Sequence, residues 1–109
     1  MGALPPSPSA PVSDAALMQR LAQRDSRALI EFERRHGASL YALVYAIVMD
    51  PPRAERVVSR VFEHLWQTST AFDSQRRSPW SWLRNAAREL AYADVAGKHD
   101  NSLRGGISR

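Results

Sequence analysis

Apolar residues recur at three-and-four spacing through four stretches of the chain, the period of an amphipathic helix, and no stretch alternates as a half-buried strand does. The first stretch carries Ala16, Leu17, Met18 and Leu21, with Ser13 or Asp14 placed to cap it. Asp25 is placed to start a second helix, with Ala28, Leu29 and Phe32 on its apolar face. Beyond Gly37 the pattern resumes with Leu40, Leu43, Val44, Ile47 and Val48. Glycine inside a helix costs up to about 1 kcal/mol, so a kink or short break is expected at His36–Gly37.

Asp50 followed by Pro51 predicts the start of a third helix, because proline at a first-turn position has no N–H to leave unpaired. Its stripe is Ala54, Val57, Val58, Val61, Phe62, Leu65 and Trp66, and it fades by Ser69–Thr70. The opposite side carries Arg53, Arg56, Ser59 and Arg60. Like charges one turn apart at Arg56 and Arg60 cost a few tenths of a kcal/mol. The segment TAFDSQRRS reads as a loop. Ser78-Pro79 then repeats the cap-and-proline signature for a last helix with Trp82, Leu83, Ala86, Ala87, Leu90 and Ala91 inward, ending near Gly97. The expected fold is all-α, a small bundle of about four helices over residues 13–97, preceded by a proline- and serine-rich disordered lead-in (1–12) and followed by a flexible polar tail (98–109).

Composition narrows the function. The 109 residues suit one small domain and include no cysteine, which removes disulfides, thiolate metal sites and cysteine nucleophiles. No apolar run approaches the roughly 20 residues that span a bilayer, and no signal peptide opens the chain. A cytoplasmic protein without membrane partners is expected. The formal charge is +4 and the sequence pI near 10.3, which suits a polyanionic partner. Lys98 is the only lysine; codon bias in a GC-rich genome accounts for most of the arginine excess, and the planar guanidinium forks suit phosphate, carboxylate or base edges.

Catalysis finds no support in the pattern. His36, His64 and His99 lack partners at metal-ligand spacing, and neighbouring Glu63 and His64 diverge by about 100° on a helix. There is no nucleophile elbow, phosphate cradle or HExxH helix. No enzyme, metal or cofactor is expected. The cluster RRSPWSWLRNAAR is different: Arg76, Arg77, Arg84 and Arg88 can track phosphates, and an exposed indole stacks on an unpaired base for roughly 1–3 kcal/mol. Trp82 is expected in the core. Trp80 is either a cover for the helix start or a stacking surface.

The ordered set Leu17, Leu21, Asp25, Ala28, Phe32, Leu40-Tyr41, Asp50-Pro51, Ala54-Glu55, Val57-Val58, Val61-Phe62, Leu65-Trp66, Phe72-Asp73, Ser78, Trp82-Leu83 and Ala87-Arg88 resembles region 2 of extracytoplasmic-function sigma factors of the sigma-70 family. The resemblance covers about Asp14 to Val95. It implies an all-helical domain that docks on the clamp-helix coiled coil of the largest subunit of core RNA polymerase and helps open promoter DNA at the minus-ten element. On that basis Arg56, Ser59, Arg60 and Glu63 are the polymerase-binding candidates, and Arg76, Arg77, Trp80, Arg84 and Arg88 the candidates for partly single-stranded promoter DNA, with the loop Phe72–Ser78 forming a base pocket. An anti-sigma or split-sigma protein is a further partner such a domain implies. An exposed Trp80 or an unoccupied docking face would favour a homo-oligomer.

The departures from the family pattern fall at contact positions. Arg56, Ser59 and Arg60 stand where an acid, a glutamine and an acid are usual. Arg77 replaces a loop glycine, Glu89 an asparagine, and Asp94-Val95-Ala96-Gly97 a basic run. No second, helix-turn-helix domain is present in the sequence, so a short factor, a half of a split factor and a piece of a longer one are all open. An alternative class is a divergent sigma-like module that binds an acidic partner protein without initiating transcription. A third is a helical domain whose arginine stripe faces only water.

Overall fold

The computed structural model describes residues 12–73 and 76–107, and side chains as far as residue 97. Four helices form: α1 (Asp14–Ala22), α2 (Ser26–Val48), α3 (Pro51–Thr68), which runs into a 3₁₀ turn at Ser69–Ala71, and α4 (Pro79–Ile107). The described residues contain no strand. The expected lead-in lies outside them except for Val12, as do Ser74 and Gln75 of the loop and the last two residues of the expected tail.

The helix starts are where side-chain caps are available. Ser13 Oγ accepts from the Ala16 N–H at 3.0 Å, Asp25 Oδ1 from Arg27 at 3.0 Å, and Asp50 Oδ2 from Arg53 at 3.1 Å. Each satisfies a backbone donor that the first helical turn leaves open. Two left-handed residues, Arg24 and Met49, close α1 and α2. Arg24 is held in that unfavourable conformation by its own side chain, which lies 3.7 Å over the Trp66 ring and donates to the Trp66 carbonyl at 2.8 Å.

The apolar stripes meet in one core. Phe32 is its largest fully buried side chain, and the core also includes Leu17 and Leu21 of α1, Leu40 and Val44 of α2, Val57, Val61 and Leu65 of α3, and Leu83 and Ala87 of α4. Val58, Trp66, Trp82, Ala86 and Leu90 border it, partly buried. Helix α3 runs antiparallel to α4: Arg53 near its start meets Asp94, and His64 near its end stacks on Trp82.

Two boundaries differ from expectation. Helix α2 passes through His36–Gly37 without a break. Phe32, Leu40 and Val44 keep one continuous buried face across the glycine, and packing of that face outweighs the glycine's propensity cost. Helix α4 likewise continues beyond Gly97 to Ile107 rather than ending there.

Candidate functional site

The polar side of α3 is a charged surface of mixed sign. Pro52, Glu55, Arg56, Ser59, Arg60 and Glu63 are all exposed, and the first five line a shallow depression of about 500 Å³. The sequence places Arg53 with them, and the structure does not. The Arg53 guanidinium turns to α4, where it pairs with the Asp94 carboxylate and donates to the Asp94 carbonyl at 3.3 Å. Spacing explains the miss. Arg53 sits at the edge of the polar arc, and its partner is 41 residues away.

Partnership separates the arginines into two groups. Arg20 and Arg27 hold Asp25, at 3.0 and 3.2 Å, and these contacts, Arg20 first, keep the Asp25 carboxyl below the usual range. Arg34 and Arg35 hold Glu31, whose carboxyl is lowered in the same way, chiefly by Arg34. Arg35 also reaches Asp14, Arg24 lies on Trp66, and Arg76 stands 3.8 Å from Asp73. By contrast, the guanidinium groups of Arg56, Arg60, Arg77, Arg84 and Arg88 make no hydrogen bond or ion pair with another described residue, and all five side chains belong to exposed residues.

The loop and the start of α4 form the second surface. Ser78 Oγ accepts from the Ser81 N–H at 3.0 Å, capping α4 and fixing where its first turn points. Thr68, Ala71, Phe72, Asp73, Arg76, Arg77 and Trp82 surround a cavity of about 460 Å³. A smaller one of about 200 Å³ shares Arg77 and Trp82 and is completed by His64, Asn85, Ala86, Glu89 and Leu90.

The two indoles go to different places. Trp80 is half-buried over His36, with ring centroids 5.3 Å apart, and His36 Nε2 is 2.8 Å from Asp14 Oδ2, so Trp80 ties α4 to α1 and α2. Trp82 stacks on His64 at 5.5 Å and walls both cavities. Residues two apart on a helix differ by about 200°, so that spacing signals that the pair cannot share one environment. The sequence-predicted set therefore divides. Arg76 and Arg77 gather with Trp82, while Arg84 and Arg88, at four-residue steps from Trp80, follow the other flank of α4. Sequence reasoning missed Trp82, His64 and Asn85 as cavity walls, and saw Glu89 only as a replacement for the asparagine usual in the family.

Among the described residues no group of three His, Cys, Asp or Glu side chains could hold a metal ion, and no helix is long and apolar enough to cross a membrane.

Over 89 residues, 82% of its length, the chain is 29% identical to the ECF RNA polymerase sigma factor SigK of Mycolicibacterium vanbaalenii. Over 76 residues it is 29% identical to SigK of Mycobacterium tuberculosis H37Rv, and over 88 residues 25% identical to SigK of Mycobacterium sp. strain KMS. The chain resembles a divergent region of extracytoplasmic-function sigma factors. It spans 45%, 41% and 46% of the length of these three curated relatives. No family model and no solved structure matches it. In this sigma-like chain the apolar stripes of α1 to α4 form the core, and the unpaired arginines belong to exposed residues.

Proposed function

We propose that the chain is a sigma-factor region 2-like domain acting in transcription initiation, a binding module rather than an enzyme. Arg56, Ser59, Arg60 and Glu63 on α3 contact core RNA polymerase at the clamp helices of its largest subunit. Arg76, Arg77, Arg84 and Arg88 hold the backbone of partly single-stranded promoter DNA. The loop cavity receives an extruded base against Trp82, while Trp80 seats α4 on α2. The observation that carries this reading is the division of the arginines. Arg56 and Arg60 on α3, Arg77 in the loop, and Arg84 and Arg88 along the other flank of α4 have no internal acid, so their charge is available to a partner.

The experiment is a titration of the protein against core RNA polymerase and against the isolated clamp-helix segment at two salt concentrations, beside an Arg56→Asp/Arg60→Glu variant. Single-stranded promoter DNA is titrated in parallel with Arg84→Ala/Arg88→Ala. Each lost phosphate contact lowers the slope of log affinity on log salt by about 0.7 for a single strand. Polymerase binding by the natural sequence supports the docking assignment, and an unchanged salt slope in the arginine variant removes the DNA assignment.

A second reading has its own observation. Arg56 and Arg60 are like charges one turn apart that form no ion pair with a described acid, which suits an acidic protein surface, such as that of an anti-sigma or split-sigma partner, better than a basic one. Failure to bind polymerase, reversed in the Arg56→Asp/Arg60→Glu variant, would favour this module over an initiating one.

A further inference from the structure

The smaller cavity beside Trp82 has a chemistry that phosphate tracking does not use. Its floor, Ala86 and Leu90, and its walls, Trp82 and His64, are apolar or aromatic and suit a planar ring. Besides the His64 imidazole, its polar groups are Asn85 and Glu89, one turn apart on α4, and Arg77 from the loop. None of the three side chains has a hydrogen-bond partner among the described residues. At about 200 Å³ it is smaller than the roughly 300–1,000 Å³ of a drug-sized site, the scale of a single ring system rather than a whole nucleotide.

A carboxylate only accepts hydrogen bonds, through two oxygens side by side. It is therefore a poor neighbour for phosphate and a good one for two adjacent N–H donors. Guanine alone among the DNA bases offers that arrangement on its Watson–Crick edge, at N1 and the 2-amino group, with the O6 acceptor beside them. Asn85 and Arg77 supply donors for that oxygen, and Arg77 also offsets the charge of Glu89 against the DNA backbone.

Resting on the nucleic-acid reading above, we infer that this cavity is a guanine-selective subsite for an unpaired base of the bound strand. Glu89 accepts from N1–H and the 2-amino group, Asn85 and Arg77 donate to O6, and the base lies against the stacked Trp82–His64 pair. The cavity shares Arg77 and Trp82 with the larger one, so a strand that seats one base there brings a neighbouring base to this one. Glu89 thereby acquires a role that phosphate contact denies it.

The test uses fluorescein-labelled oligothymidylates that are uniform or carry one central guanine, adenine or cytosine, titrated by fluorescence anisotropy against the natural protein and Glu89→Gln. A bidentate base contact distinguishes right from wrong bases by roughly tenfold. The expected result is tightest binding of the guanine oligomer by about that factor, with the advantage erased in Glu89→Gln, because an amide presents one acceptor where the carboxylate presents two. Equal binding of all four oligomers overturns the subsite and leaves the DNA reading standing. A guanine preference that survives Glu89→Gln overturns its assignment to this cavity. Absence of binding to any oligomer defeats the DNA reading and the subsite with it.

Discussion

Replacing Asp94 by alanine tests whether α4 is fastened to the start of α3 by one ion pair. The Arg53 side chain is 15% exposed and that of Asp94 25%, between the fully buried and fully exposed limits. Exposed pairs contribute about 0–1 kcal/mol, whereas breaking a buried pair costs about 3–5 kcal/mol. Asp94→Ala also leaves a largely covered guanidinium with only the backbone carbonyl of residue 94, at 3.3 Å, as acceptor. Hydrogen bonds to charged groups are worth about 1.5–3 kcal/mol, and we expect a loss in that range. For a domain of this size that lowers Tm by roughly 10 °C. Urea and thermal unfolding of the natural protein, Arg53→Ala, Asp94→Ala and the double variant, followed by circular dichroism, give the coupling directly, expected at about 1–2 kcal/mol. The coupling should change little with added salt, since a covered pair is weakly screened. A coupling under about 0.5 kcal/mol, or one abolished by salt, would refute the reasoning and return Arg53 to the open face of α3.

Gly37→Ala should stabilise the protein by about 0.5–1 kcal/mol, because the residue is helical and an added Cβ meets nothing within 4 Å, so only the backbone entropy of the unfolded chain changes; a lower urea midpoint would show that α2 needs its glycine. Stability should fall in acid as Asp25 and Glu31 take up protons. Both folded carboxyls lie below their ordinary values of 3.8 and 4.5, so their contribution is complete above those values and is lost as pH drops through the lower folded ones. Urea midpoints measured from neutral pH downward should show this decline, and Asp25→Asn/Glu31→Gln should flatten it.

The helix starts were legible because the signals are local. Ser13, Asp25, Asp50 and Ser78 each cap within three residues, and the stripe from Ala54 to Leu65 needs only the helical period. What the sequence hid is set by contacts between distant residues. Gly37 looks like a break until the burial of Phe32, Leu40 and Val44 is known. Asp94 looks like a lost basic contact, yet it serves the fold by holding Arg53. The candidate site was half legible. The unpaired arginines were among those chosen from their setting, but the choice between Trp80 and Trp82 depends on whether His36 or His64 stands opposite, which composition does not reveal.

Helix α3 presents Ser59, Arg60 and Glu63 outward, and the next residue, His64, with Thr68 one turn on, forms walls of the two cavities at the start of α4. A close-packed helix moves as a rod, so a partner that rolls or slides α3 carries those walls with it. On the proposed function, occupancy of the α3 face and of the cavities beside Trp82 is then linked: whatever factor the first ligand imposes on affinity for the second, the second imposes on the first. On that reading the domain grips nucleic acid differently when alone than when seated on a protein partner.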